Sequence, residues 1–173
     1  MVFANQPLDA MTEQQFSSAL YAKVDVSVRI AQVFAQDALD FLLFFSSMIS
    51  LIKNPRQAHY AAGCAFKDAF AQQLAHHVSF PVKLVNWGYW AAQKNANADE
   101  VQRLTELGVG LIEPGEGMRV LDVLLGSPLH QLGVIRLAKA LEVEGVDAGE
   151  TIDLYPTRCL PERESYRAIG MPG

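Results

Sequence analysis

The sequence has few of the features that mark metal-binding, extracellular or nucleic-acid-binding proteins. Its 173 residues include only two cysteines, Cys64 and Cys159, and no C-x-x-C spacing, so neither a disulfide framework nor a zinc site is predicted. The net charge is −5, and without a run of lysine and arginine residues it disfavours a nucleic-acid partner. Together these absences favour a protein of the reducing cytoplasm.

Long hydrophobic runs and an export signal are also missing. The most apolar stretch, residues 41–52, is too short to cross a bilayer and contains three serines. The first eleven residues have no basic segment followed by an apolar core, so they do not form a secretion signal. We therefore expect no membrane partner. With 50% hydrophobic and 19% charged residues, the chain is predicted to be globular, with a single core.

What the sequence does contain is an alternation of helical and strand-like segments. Residues 12–36 predict a long helix capped by Thr12, although three alternating valines inside it also fit a strand. Residues 39–47 form a continuous apolar run, which is typical of a strand buried on both faces of a parallel sheet. The other predicted elements are a turn at 53–56, helices at 57–77, near 99–107 and at 115–126, and strands at 81–88 and 131–137.

This alternation predicts a doubly wound α/β sheet. Only three strands are clear in the sequence, whereas sheets of this type usually have more. The first helix precedes the first strand, so we expect the chain to begin inside a repeating unit. Residues 138–173 have mixed signals and three prolines, and they are predicted to form an irregular tail or a docking segment.

A serine and a tyrosine frame the strongest candidate site. Ser47 ends a predicted strand, and Tyr60 follows thirteen residues later on a predicted helix. Functional residues of α/β folds gather where strands end, but serines at strand ends and tyrosines on alanine-rich helices are common. The pair alone therefore leaves a catalytic and a purely structural interpretation open. Two adjacent histidines, His76 and His77, point to different sides of a helix end, so no metal site is predicted there.

Four collinear blocks of the sequence carry a family resemblance. They are AKVDVSVRIAQVF (22–34), DFLLFFSSMISLIKNPRQAHYAAGCAFKDAFA (40–71), VKLVNWGYW (82–90) and LTELGVGLIEPGEGMRVLDVLL (104–125). Together they resemble the ketoreductase domain of modular polyketide synthases, a branch of the short-chain dehydrogenase/reductase superfamily. The resemblance implies a partial, doubly wound, Rossmann-like parallel sheet, in which residues 1–137 are the C-terminal catalytic half of the domain.

The resemblance implies a role for each of three polar residues. Tyr60 would be the proton donor, Ser47 its partner on the substrate carbonyl, and Lys23 the supporting cation. Reduction of a ketone places hydride on carbon while negative charge builds on oxygen, so an acid must lie within hydrogen-bond reach of that oxygen. We expect the Lys23 ammonium to lower the pKa of the Tyr60 phenol from its ordinary value of about 10.

The resemblance also implies NADPH as the cofactor. Tyr60, together with Asn86, Trp87 and Gly88 at the end of a predicted strand, would contact its nicotinamide side. For Trp87, a place in the hydrophobic core is an equally good interpretation. The family's nucleotide-binding half precedes the region that begins here, and no G-x-G-x-x-G occurs in this chain. We therefore expect the chain to lack the N-terminal nucleotide-binding strands.

Two departures from the family pattern bear on activity. Cys64 stands where the family usually has asparagine, four residues after Tyr60 and on the same helix face. Because a thiol hydrogen-bonds poorly compared with an amide, we expect a weaker relay beyond Tyr60. The family's stereochemical markers are also absent, since Ile52 and the segment Phe3, Ala4 and Asn5 occupy their positions. The configuration of the alcohol product therefore stays open.

These observations predict NADPH-dependent reduction of a β-ketoacyl thioester, carried on an acyl carrier protein, in polyketide biosynthesis. By itself the chain is expected to be inactive, because the N-terminal half of the ketoreductase would have to come from a partner chain or from a longer protein. The alternative is a non-catalytic subdomain that braces other domains of a polyketide synthase.

Overall fold

The computed structural model describes residues 6–52, 56–91, 102, 104–106 and 108–138, all within one compact unit, Met1–Ala140. The predicted tail beyond Ala138, the segment around Ala4 and most of the predicted turn at 53–56 therefore lie outside the described residues. Residues 102 and 104–106 are helical, in agreement with the helix predicted near them. Within these ranges, no helix combines the length and the apolar character needed to span a membrane.

The first helix, α1, spans Glu13–Phe34, which confirms the predicted helix and excludes the alternative strand. A capping box closes its N-terminus: Thr12 Oγ1 accepts a hydrogen bond from the Gln15 amide, and Gln15 Oε1 accepts one from the Thr12 amide. Buried side chains recur every fourth residue along one helix face. They are Lys23, Ser27 and Ala31.

Three parallel strands form the sheet in the order β1-β2-β3. The strands are β1 (Leu42–Ser47), β2 (Val82–Trp87) and β3 (Gln131–Val134). Between them in the chain lie α2 (Ala58–Leu74) and α3 (Pro114–Leu125), so the predicted parallel α/β architecture is confirmed. The register aligns Ser47 with Trp87 and Trp87 with Val134. The carboxyl ends of all three strands therefore meet at one edge of the sheet.

Two hydrophobic clusters cover the two faces of the sheet. On one face, β1 and β2 pack against α2, and on the other face, β2 packs against α3. The buried members are Phe44, Ala71, Phe80, Val82 and Leu84 in the first cluster, and Val85, Trp87, Ile112 and Leu124 in the second. As expected for a strand covered on both faces, β2 is buried along its whole length.

The first strand differs from the sequence-based expectation of burial on both faces. Phe44 is 5% exposed, but its neighbour Phe45 is 52% exposed. The reason is that β1 lies at an edge of the described sheet, where α2 covers the face of Phe44 while α3 packs over β2. The strand also begins at Leu42 rather than at residue 39.

Candidate active site

The crossing of α1 and α2 brings a lysine to a tyrosine. Lys23 on α1 is 7% exposed. Its stem lies against Gly63 of α2, where an added Cβ would be 2.6 Å from Lys23 Cδ. The absence of a side chain at Gly63 therefore lets the two helices approach at this point. Lys23 Nζ lies 4.3 Å from the centroid of the Tyr60 ring, which is the geometry of a cation–π interaction.

The end of β1 brings a hydroxyl to the same tyrosine. Ser47 is the last residue of β1, and a short 3-10 turn, Met48–Ser50, follows it. Ser47 Oγ accepts a hydrogen bond of 3.3 Å from the Ile49 amide, and the Ser47 side chain is hydrogen-bonded to Tyr60. Because Tyr60 lies in the first turn of α2, the end of the strand and the start of the helix converge.

The protonation of Tyr60 differs from the sequence-based expectation. The pKa of Tyr60 is raised to about 12, first by burial and then by the neighbouring Cys64, while the hydrogen bond from Ser47 acts in the opposite direction. The prediction that this pKa is lowered is wrong, because burial, which disfavours the charged phenolate, is the largest influence on it. The phenol is therefore protonated near neutral pH.

Cys64 lies one helical turn beyond Tyr60 and is 1% exposed. Burial raises the pKa of the Cys64 thiol, and the positive charge of Lys23 acts in the opposite direction. The Cys64 and Tyr60 side chains are hydrogen-bonded, as their spacing on one helix face allows. The four residues Lys23, Ser47, Tyr60 and Cys64 thus form one cluster, whose catalytic roles stay predictions.

The residues expected on the nicotinamide side are closely packed within the protein. Trp87 is 5% exposed, and its ring packs edge-to-face against Phe45, at a centroid distance of 5.9 Å, and against Trp90, at 4.7 Å. An added Cβ at Gly88 would lie 2.8 Å from the Val134 carbonyl oxygen, so Gly88 allows the strand ends to approach. These contacts favour the core interpretation of Trp87, and contact with a cofactor stays a prediction.

A buried polar network that was not predicted from the sequence borders this cluster. Asp68 on α2 is 8% exposed and Asn86 on β2 is 0% exposed. Asp68 Oδ2 accepts hydrogen bonds of 2.6 Å from both Ser50 Oγ and Asn86 Nδ2. Asn86 Nδ2 also lies 3.3 Å from the Ser47 carbonyl oxygen. One signal was available in the sequence, since Asp68 follows Tyr60 and Cys64 at the same four-residue spacing on the buried face of α2.

The fold and the cluster together define a class of protein. A parallel sheet carries a serine at a strand end, and two neighbouring helices bring a lysine and a tyrosine to it. This is the arrangement that the resemblance to the short-chain dehydrogenase/reductase superfamily implied. Among the residues that the structure describes, no three histidine, cysteine, aspartate or glutamate side chains are grouped as a metal site would need.

Comparison with known proteins shows the family. The family model for the KR domain matches residues 1–92. The chain is 47% identical over 166 residues to polyketide synthase PksM of Bacillus subtilis (strain 168), which covers 95% of this chain and 4% of PksM. It is 48% identical over 133 residues to polyketide synthase ThaG of Burkholderia thailandensis, which covers 76% of this chain and 2% of ThaG. The chain therefore belongs to the ketoreductase (KR) domain family of polyketide synthases.

Solved structures agree on the fold. A ketoreductase domain from the bacillaene assembly line matches with a TM-score of 0.69 at 25% identity, over 76% of this chain and 33% of that chain. A small-chain dehydrogenase in complex with NADPH matches with a TM-score of 0.65 at 22% identity, over 77% of this chain and 67% of that chain. These likenesses confirm the partial Rossmann-like sheet. The chain thus spans 33% of the solved ketoreductase and only a few per cent of the synthases that it matches.

Proposed function

We propose that this chain supplies the proton-donating residues of a β-ketoacyl reductase that acts on a thioester carried by an acyl carrier protein. The observation that carries the proposal is the convergence of Ser47 and Lys23 on Tyr60. The similarity to polyketide synthases supports polyketide biosynthesis as the setting.

Tyr60 is the proton donor in this proposal. With a pKa of about 12, the phenol holds its proton near neutral pH and gives it to an oxygen on which negative charge builds. Because Ser47 is hydrogen-bonded to Tyr60, a carbonyl oxygen within reach of one hydroxyl lies close to the other. The Lys23 ammonium, 4.3 Å from the ring centroid, offsets the negative charge that proton transfer leaves on the phenolate.

The described residues fit only part of NADPH, which would supply the hydride when bound. Tyr60 and residues 86–88 are the proposed contacts with its nicotinamide side. A helix N-terminus often binds a pyrophosphate, but α1 and α3 begin with capping boxes made by their own side chains. The N-terminus of α2 has no such cap, but it carries Tyr60 in its first turn, where the nicotinamide side is proposed to lie. The phosphates would therefore be held by residues other than these. The related fold solved with NADPH supports this choice of cofactor.

We further propose that the chain alone has little or no turnover, because the contacts proposed for Tyr60 and residues 86–88 hold the nicotinamide side of NADPH and not its phosphates. A second candidate function is a non-catalytic subdomain that braces other domains of a synthase. The observation that favours it is the contact of Tyr60 with Cys64, which raises the pKa of the phenol and so makes proton transfer from it harder.

The test combines this chain with the nucleotide-binding half of a related ketoreductase, produced together and purified as a complex. NADPH oxidation is measured with a β-ketoacyl thioester, for the complex, for each part alone and for the complex carrying Tyr60→Phe. We expect turnover only in the complex, and its loss in Tyr60→Phe.

Two other results would decide against the reductase. A complex that turns over equally well with Tyr60→Phe would remove Tyr60 as the proton donor. A stable complex that neither binds NADPH, measured by fluorescence quenching, nor reduces the thioester would favour the bracing subdomain.

A further inference from the structure

The polar network between α2, β2 and the turn after β1 is centred on one carboxylate. Asp68 is 8% exposed, and its Oδ2 accepts hydrogen bonds of 2.6 Å from Ser50 Oγ and Asn86 Nδ2. Within the described part of the chain, Asp68 Oδ1 has no hydrogen-bond partner. Both short bonds therefore converge on a single oxygen, and charge-assisted bonds of this kind are among the stronger ones in proteins.

The two donors to Asp68 also lie close to the backbone at Ser47. The Ser47 carbonyl oxygen lies 2.9 Å from Ser50 Oγ and 3.3 Å from Asn86 Nδ2. Ser50 has one hydroxyl hydrogen, which the short bond to Asp68 uses, while Asn86 has two amide hydrogens. Asn86 Nδ2 can therefore donate one hydrogen to Asp68 and direct the other at the turn, where Ser50 Oγ lies 2.9 Å away and the Ser47 carbonyl oxygen 3.3 Å away. This arrangement ties the turn after β1 to α2.

The orientation of the Asn86 amide is fixed from the other side. Gln131 Nε2 on β3 donates to Asn86 Oδ1 at 2.7 Å, and Gln72 Nε2 on α2 donates to Gln131 Oε1 at 2.8 Å. Because Asn86 accepts through its oxygen there, its amide hydrogens must face Asp68 and the turn. The donors of this chain of hydrogen bonds all point towards Asp68, so the bonds strengthen one another.

We infer that Asp68 is a positioning residue: through Ser50 and Asn86 it holds the turn after β1, so that Ser47 stays hydrogen-bonded to Tyr60. Asp68 acts through the turn, because its hydrogen bonds go to Ser50 and Asn86 rather than to the Ser47 hydroxyl. The consequence for turnover rests on the proposed function. The consequence for the bond between Ser47 and Tyr60 does not, so the two can be tested separately.

The first experiment detects the hydrogen bond between Ser47 and Tyr60 in the full chain and does not require enzymatic activity. The chain has five tyrosines, and nuclear magnetic resonance of tyrosine isotope-labelled at Cζ resolves them, with Tyr60→Phe assigning the Tyr60 signal. Ser47→Ala and Asp68→Ala are expected to move this signal in the same direction. The double variant should match Ser47→Ala alone, because Asp68 acts through Ser47.

A matched control is available at the opposite end of β2. Lys83 is also buried, at 6% exposure, and its Nζ donates to the Ser127 and Leu129 carbonyls at 2.8 and 2.7 Å. Lys83→Met removes a buried polar anchor without touching the turn after β1, so it should leave the Tyr60 signal in place. If Asp68→Ala does not fold, Ser50→Ala removes one of the two donors and should give a smaller shift in the same direction.

The second experiment measures turnover in the reconstituted reductase. Asp68→Ala is expected to lower kcat by roughly 10-fold to 100-fold, the scale of a small misplacement of a catalytic group, with little change in KM. When Ser47→Ala is already present, adding Asp68→Ala should cause no further loss of kcat.

Three results would overturn the inference: an unmoved Tyr60 signal in the folded variants of Asp68 or Ser50, shifts that add in the double variant, or losses of kcat that multiply with that of Ser47→Ala. If no combination turns over at all, the proposed reductase fails, while the Tyr60 signal still decides the positioning role of Asp68.

Discussion

Lys83, at the second position of β2, and Lys23, in the middle of α1, are buried to nearly the same extent, at 6% and 7% exposure. Lys83 donates to the backbone carbonyls of Ser127 and Leu129 and so joins β2 to the segment that leads into β3. Lys23 directs its ammonium to the face of the Tyr60 ring. One ammonium is bound to backbone dipoles, and the other lies beside groups that can lose a proton.

The difference shows how the same buried charge serves two purposes. A buried ammonium costs free energy unless hydrogen bonds or opposite charges compensate it, and the two carbonyls provide that compensation for Lys83. Lys23 instead influences its titratable neighbours. Its charge opposes the raised pKa of Cys64, and the pKa of Lys67 is lowered by burial first and by Lys23 second. Buried charges that perturb their neighbours are typical of functional sites.

Turnover should separate the two lysines most strongly. In the reconstituted reductase, Lys23→Met is expected to lower kcat by about 100-fold or more, because the phenolate left by proton transfer loses its neighbouring ammonium. Lys83→Met should leave kcat close to that of the unmodified complex. Steady-state NADPH oxidation measures both variants, and equal losses would erase the functional distinction between the two regions.

The order should reverse for the free energy of unfolding. Lys83→Met leaves the Ser127 and Leu129 carbonyls without this donor, which is expected to cost about 1–3 kcal/mol. Lys23→Met replaces a buried charge by an apolar side chain of similar length, and such exchanges are often neutral or stabilising. Urea titration of the chain measures both. A larger loss in Lys23→Met than in Lys83→Met would contradict the structural role given to Lys83.

A smaller difference between the two regions is expected in how stability changes at alkaline pH. The pKa of Tyr60 is about 12 in the folded chain and about 10 when unfolded, so the folded state holds the proton more tightly. The resulting stability is complete below about pH 10 and is lost as the pH rises towards 12. Burial lowers the pKa of Lys83, so its contribution changes in the opposite direction, and stability rises as Lys83 loses its proton.

Urea unfolding at a series of alkaline pH values tests this contrast. Tyr60→Phe should flatten the decline of stability above about pH 10, because the raised phenol pKa is gone. Lys83→Met should steepen the decline, because it removes the opposing contribution. Identical slopes in the unmodified chain and in Tyr60→Phe would show that Tyr60 is not buried as described.

The helices and strands of both regions were predictable because their signals are local. The cap at Thr12 and the helical spacing of apolar residues in α1 are read from neighbours in the chain, and the apolar run of β1 gave its position to within a few residues. The exposure of Phe45 was not predictable in this way. It depends on which strand lies at the edge of the sheet, and that is decided by contacts between segments distant in sequence.

The residues of the candidate site also differ in whether they could be predicted from local sequence signals. Ser47 and Tyr60 were found because the end of a strand and the start of the next helix are close in sequence, and Lys23 came from the family resemblance. Asp68 was missed, because its partners Ser50 and Asn86 each lie 18 residues away. A separation of this length does not indicate a contact within one helix or strand. The upward pKa shift of Tyr60 was missed because burial of a phenol depends on tertiary packing.

The pairing of β1 with β2 also decides which of two adjacent hydroxyls is offered to Tyr60. Ser46 is aligned with Asn86 and Ser47 with Trp87, and successive residues of a strand point to opposite faces. A shift of the strand by one residue that brought Ser46 to the place of Ser47 would also put Phe45 at the place of Ser46 and Leu43 at the place of Phe44. The packing of Phe44 in the first hydrophobic cluster therefore also determines that Ser47 is the serine next to Tyr60. A strand paired in the wrong register would place its side chains on the wrong faces of the sheet.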